Sequence, residues 1–111
     1  MKIKELAQEL GWELAHGEGE GDISGGIYCG DLLSIVMSHA PEGCLWVTIM
    51  GNANAMAVAS LTDCACVVLA EGVRMDADTR AGAEKGAVTV LRTELPIFEA
   101  SMAAARLLGL T

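Results

Sequence analysis

The sequence predicts a single-domain α/β sandwich over residues 1–111, with a mainly parallel sheet covered by helices, and three observations predict it. Segments such as Leu45-Trp46-Val47-Thr48-Ile49-Met50 and Ala65-Cys66-Val67-Val68-Leu69 are apolar at consecutive positions, as strands buried on both faces must be. Helical patterns of about ten residues separate them, as crossovers between parallel strands require. The chain has 111 residues, 52% of them hydrophobic, which suffices for one core and is too few for two comfortable ones.

The elements follow in order. Ile3, Leu6, Ala7 and Leu10 recur at helical spacing and Gly11 follows, which predicts a helix over 2–10. Trp12 to His16 reads as a short strand, and Gly17-Glu18-Gly19-Glu20-Gly21-Asp22 as a solvated acidic loop that matches no phosphate-loop pattern. Ile27-Tyr28-Cys29 is the next strand. Asp31 is then placed to cap a helix carrying Leu32, Leu33, Ile35, Val36 and Met37 up to Pro41. After the strand Leu45–Met50, Gly51-Asn52-Ala53-Asn54 opens a helix that ends near Leu61. Ala65–Leu69 is a strand, residues 77 to 85 a polar helix, and Ala87–Leu91 the last strand. Leu95, Phe98, Met102, Ala105 and Leu108 define the buried face of the closing helix. Its remaining alanines leave low-relief apolar surface suited to a homodimer.

Charge and composition narrow the function. From Glu5 to Val73 there is no Lys or Arg, while ten carboxylates fall in the same stretch and the whole chain carries −8. Nucleic acid and anionic membranes are repelled by such a surface. Four aromatic residues, Trp12, Tyr28, Trp46 and Phe98, are too few for base stacking. With no signal-like amino terminus and no long apolar run, the expectation is a cytoplasmic protein with reduced cysteines. Cys29, Cys44, Cys64 and Cys66, spaced C-x14-C-x19-C-x-C, match neither a zinc ribbon nor a ferredoxin, so they read as small buried hydrophobes. Cys64 and Cys66 stand two apart on a predicted strand and are expected to share a face, which keeps thiol or metal redox chemistry as the remaining enzyme alternative.

Right-handed crossovers place the carboxyl ends of the strands on one edge, where open α/β sheets bind ligands. That edge collects Gly30 and Asp31, then Thr48, Gly51, Asn52 and Asn54, then Glu71 and Gly72, and finally Thr93 with Glu94. One Asn suffices to cap the following helix; two amides, which both donate and accept, suit a neutral polar ligand, with Glu71 adding an acceptor or a counter-charge. No complete catalytic constellation, metal set or cofactor motif accompanies them: there is no Gly-x-Ser-x-Gly elbow, His39 reads as a helix C-cap and His16 as a solvated residue. The expected function is a non-catalytic ligand-binding or regulatory module. With Asp31, Glu71 and the Glu18–Asp22 loop near the edge, neutral or cationic ligands are favoured over nucleoside triphosphates.

The order of elements and the wording of Ile27-Tyr28-Cys29-Gly30-Asp31, Thr48-Ile49-Met50-Gly51-Asn52, Val67-Val68-Leu69-Ala70-Glu71-Gly72 and Thr93-Glu94-Leu95-Pro96-Ile97-Phe98 resemble the DRTGG domain family over essentially the whole chain. Such domains are found at the amino-terminal end of HPr kinase/phosphorylase proteins, in some phosphotransacetylases and beside CBS domains. The resemblance is closest to small stand-alone members encoded near iron-only hydrogenase genes, and so implies docking on a redox enzyme as an alternative role. Where the family places Gly-Asp-Arg this chain has Gly51-Asn52-Ala53, and where it places Thr-Gly-Gly this chain has Ala70-Glu71-Gly72. An Arg is lost and a carboxylate gained, which turns the edge away from phosphate.

Overall fold

The computed structural model describes residues 1–111. Five helices and five strands alternate as α1 (Ile3–Leu10), β1 (Glu13–His16), β2 (Ile27–Cys29), α2 (Leu33–His39), β3 (Leu45–Thr48), α3 (Ala53–Thr62), β4 (Cys66–Leu69), α4 (Ala77–Gly86), β5 (Val90–Arg92) and α5 (Ile97–Leu107). One sheet orders the strands β1-β5-β4-β3-β2, with β2 to β5 parallel and β1 antiparallel to β5. The predicted fold class therefore stands. The expectation that every strand brings its carboxyl end to one edge fails for β1, whose first residue, Glu13, faces Arg92 at the end of β5.

Side-chain alternation divides the core into two layers. Leu45, Val47, Cys66, Val68 and Leu91 join Ile3, Leu6, Ala100 and Ala104 under α1 and α5, while Trp46, Val67, Leu69 and Val90 join Val36, Met56, Ala59 and Ala83 under α2, α3 and α4. Both faces are covered, which is why β3 and β4 are buried at all four positions. No helix is long and apolar enough to cross a membrane.

Several elements differ in detail from the sequence expectation. The last strand begins at Val90, because Ala87 adopts the left-handed conformation that caps α4. The closing helix buries Ala100 and Ala104 and leaves Phe98 70% exposed. Its small residues let α5 lie close to the sheet, with Ile97, Leu107 and Leu108 packed at the margin of the core and Phe98 turned outward. Only Val36 of α2 is buried; Leu32, Ile35 and Met37 are exposed. The acidic loop is pinned rather than free: Ile3 and Lys4 donate their backbone N–H to Gly21 and Gly19, and Glu20 pairs with Lys2 and Lys4. His16 is likewise held, its ring nitrogens 2.8 Å from the Val88 carbonyl and 3.0 Å from Glu84.

Candidate functional site

Over β3 and β4 the carboxyl edge is knitted shut by its own hydrogen bonds. The fully buried Thr48 hydroxyl donates to Asp31 Oδ1 at 2.7 Å and accepts from the Met50 N–H at 3.1 Å. The same Asp31 oxygen takes the Ile49 N–H at 3.0 Å. Asp31 therefore does not cap α2, whose N-cap is Leu32 without a side-chain bond; the carboxylate is drawn across to β3, where a backbone donor and a hydroxyl stand free. The Gly30 carbonyl accepts from Trp46 Nε1 at 2.9 Å. Asn52 caps α3, its Oδ1 accepting from the Ala55 N–H at 2.8 Å. Gly51 lies so close to the 73–74 segment that a Cβ there would stand 2.7 Å from Val73 Cγ1, and its carbonyl accepts from Thr79, which is held in turn by Asp76. Asn54 is exposed and makes no side-chain hydrogen bond within the chain.

At β5 the edge opens. Chain leaving β3 and β4 turns to the face of α3 and α4, whereas chain leaving β5 crosses over the end of β4 to reach α5 on the opposite face. The crossing is fixed where Glu71 and Gly72 donate their N–H groups to the Leu95 and Thr93 carbonyls, both at 2.9 Å. Connections that part to opposite faces leave a crevice between them. Beside it is a cleft of about 450 Å³, walled by the end of α1, the first residues of β1 and the segment 92–95. Sequence reasoning reached Thr93 and Glu94 and missed Trp12, Glu13 and Arg92. Only the reversed direction of β1 brings Trp12 and Glu13 to the carboxyl edge, where Arg92 ends β5.

The cleft wall is firmly held. Arg92 donates to the Val73 carbonyl at 2.7 Å, to the Gly72 carbonyl at 3.1 Å and to Glu13 Oε1 at 2.8 Å, which uses each of its three nitrogens. Glu71 and Gly72 both take positive φ, at 58° and 71°, forming the turn that Arg92 clamps. The Glu94 carboxylate lies against Gly72, where a Cβ would meet it. Thr93 is buried and accepts the Leu95 N–H through its hydroxyl.

The cysteines separate instead of converging. Cys66 packs under α1 and α5, while Cys44 and Cys64 pack on the opposite face of the sheet, so the shared face expected of Cys64 and Cys66 is not formed. Burial pushes the Cys44 thiol up to about 11 and the Cys64 thiol up to about 12, and raises Cys66 well above its ordinary value. Thiols so disfavoured as thiolates are poor nucleophiles and ligands. Cys29 breaks the expectation of four buried thiols: it is exposed on β2, 3.0 Å from Ser101 Oγ. No three His, Cys, Asp or Glu side chains stand together as metal ligands would.

The fold is that of a small α/β domain with a ligand-sized cleft at the carboxyl edge beside β5; a second cleft of similar volume lies between α3 and α4, lined by Ala53, Ala57, Ser60, Leu61, Gly82 and Lys85. No family model matches the chain, and no curated protein matches it. Among solved structures it is similar to the CBS and DRTGG domains of the regulatory region of Clostridium perfringens pyrophosphatase, complexed with the activator diadenosine tetraphosphate. The TM-score is 0.71 at 15% identity, over 93% of this chain and 45% of that one. The chain thus spans less than half the length of its structural neighbour and shares its fold.

Proposed function

We propose that the protein is a cytoplasmic, non-catalytic regulatory module that binds a small neutral or cationic molecule at the carboxyl edge of its sheet. The observation that carries this reading is the cleft beside the β5 connection, lined by Thr93 among the binding residues the sequence singles out, with Arg92 of its wall bonded to the Gly72 carbonyl. The regulatory setting of the structural neighbour supports it. Its tetraphosphate activator is a poor guide to the ligand here, since Glu13 and Glu94 face the cleft and Arg92 is already committed to Glu13 and two carbonyls. The Glu18–Asp22 loop plays no part in that repulsion: it lies at the amino end of α1, an eight-residue helix about 12 Å long, whose other end meets the cleft.

Thermal-shift screening tests the reading. Neutral and cationic metabolites are expected to give a saturable shift; micromolar binding of ATP in EDTA, by calorimetry at physiological salt, would overturn the charge preference.

A second surface favours the docking alternative. The outer edge of β2 is unpaired, and Leu32 just after that strand, Ile35 on α2 and Phe98 on α5 are exposed. Phe98 stands one turn before Ser101, which touches Cys29 on that strand. A free strand edge together with exposed apolar side chains suits a second copy of the chain, or the redox enzyme that the hydrogenase resemblance implies. Light scattering separates them: a dimer dissociated by Phe98→Glu assigns the face to self-association, and a monomer leaves it to another protein.

A further inference from the structure

The cleft's own chemistry specifies more than its position. Trp12 is 9% exposed, its ring packed into the core beneath α1 and α5. Its Nε1 makes no hydrogen bond within the chain and is not sealed from solvent, and Trp12 is one of the residues that line the cleft. A buried indole ordinarily finds a partner for that proton. This one has none.

The acceptors around it are unpaired as well. The carbonyls of Glu9 and Leu10, at the end of α1, accept no hydrogen bond within the chain, and the last turn of α1 has no basic residue to answer its negative dipole end. Glu94 makes no hydrogen bond through its carboxylate, and its backbone N–H and carbonyl are equally free. Glu13 gives one oxygen to Arg92 and keeps the other. Two carboxylates and the helix end, worth about half a negative charge, face one guanidinium, leaving the cleft negative by about one and a half charges. A volume of about 450 Å³ falls in the range of small-molecule sites.

We propose that this cleft binds a small organic monocation: a protonated amine that donates to Glu94, Glu13 and the open carbonyls ending α1, on a body with one acceptor for the Trp12 N–H. The proposal rests on the regulatory ligand-binding reading and adds the location and the ligand class. Arg92 holds the wall and does not contact the ligand's cation. Leu10 and Leu95 give an apolar body a surface to lie on.

The experiment uses the whole chain and three primary-amine cations, L-leucinamide, L-phenylalaninamide and tyramine, each beside its N-acetylated counterpart. Tryptophan fluorescence reports on the site because the other indole, Trp46, is fully buried and bonded to Gly30. At least one amine is expected to give a saturable change that its acetylated form does not give. Glu94→Gln is expected to weaken that binding about tenfold, the worth of one charge-assisted hydrogen bond. Trp12→Phe should abolish the optical signal and weaken binding several-fold by calorimetry.

Equal binding of amine and acetylated forms would overturn the cation assignment, and affinity unchanged in both variants would overturn the location. Silence from all three amines, with a metabolite from the thermal-shift screen that still binds both variants, overturns this inference and leaves the regulatory reading standing. Silence from the whole screen overturns both.

Discussion

The two halves of the carboxyl edge are built from similar residues and reach opposite outcomes. Over β3 and β4, Asp31, Thr48, Asn52, Asp76 and Thr79 satisfy one another and the backbone. Over β5 and the start of β1, Trp12, Glu94 and the end of α1 keep donors and acceptors that nothing in the chain meets. The cause is topological. Where successive connections leave to the same face, loops pack on one another and consume their polar groups; where one crosses over to the other face, the groups at its base are left facing a gap. Polar residues at a ligand-binding edge therefore mark a site only where the chain fails to use them itself.

The sharpest way to break the comparison is Thr48→Val. The side chain is fully buried and its hydroxyl both donates and accepts, so the isosteric change takes one bond from Asp31, which keeps the Ile49 N–H, and leaves the Met50 N–H without its acceptor. A loss of about 1.5 kcal/mol in urea unfolding is expected, near the cost of removing a part-buried hydrogen bond to a charged group. A neutral result would show that the knitted half is not held by these bonds. Asn52→Ala should cost less, about 1 kcal/mol, as removal of an N-cap does, and Asn52→Asp should restore most of it. If Asn52→Ala abolished ligand binding while leaving stability intact, Asn52 would be a binding residue and the division between the halves would fall.

A smaller effect concerns pH. The Thr79 hydroxyl, then the Thr79 N–H, bond to Asp76 and hold its carboxyl below the ordinary value of 3.8. A carboxyl depressed in the folded state contributes stability that is complete above 3.8 and is lost as pH falls through the lower folded value. Asp76→Asn should therefore lower the urea midpoint at pH 6 and lower it less at pH 2.5. Equal losses at the two pH values would mean that the charge on Asp76 does not matter to the cap.

Much of this was legible in the sequence, and the failures share a cause. Consecutive apolar runs such as Leu45–Thr48 and Cys66–Leu69 announce buried parallel strands, because a strand covered on both sides has no polar face to show. Asn52 announces its helix through local capping chemistry, and Asp76 offered the same signal for α4 without being read. Asp31 misled because a residue that can cap will leave its helix for a better partner on a neighbouring strand, and strand adjacency is not written locally. Phe98 misled because α5 packs through Ala100 and Ala104, so that close approach outranks the burial of one large ring. Trp12 and Glu13 gave no local signal of a site: they reach the carboxyl edge because β1 runs against its neighbours, a property of the whole sheet. A tryptophan directly after a helix-ending Gly11 was the one available hint, since so large a ring at the head of a short strand must be covered by the preceding helix and end at its lip.

The smallest expected effect bears most directly on the difference between the halves. Glu94 is exposed and its carboxylate makes no hydrogen bond, so Glu94→Gln keeps its shape and removes a charge that no partner offsets. Glu13 and the carboxyl end of α1 share the cleft with it, and relief of that repulsion should leave stability unchanged or raise it, by no more than about 0.5 kcal/mol. Set beside Thr48→Val, the pair asks whether a polar side chain on this edge serves the fold or stands apart from it. The carboxylate also lies over Gly72, in the turn that Arg92 clamps, and that contact supplies the competing account. If it held the turn, Glu94→Gln would cost 1 kcal/mol or more in urea unfolding, as loss of a structural hydrogen bond does. The two accounts thus differ in sign as well as size, and a measured destabilisation would move Glu94 into the self-satisfied part of the edge.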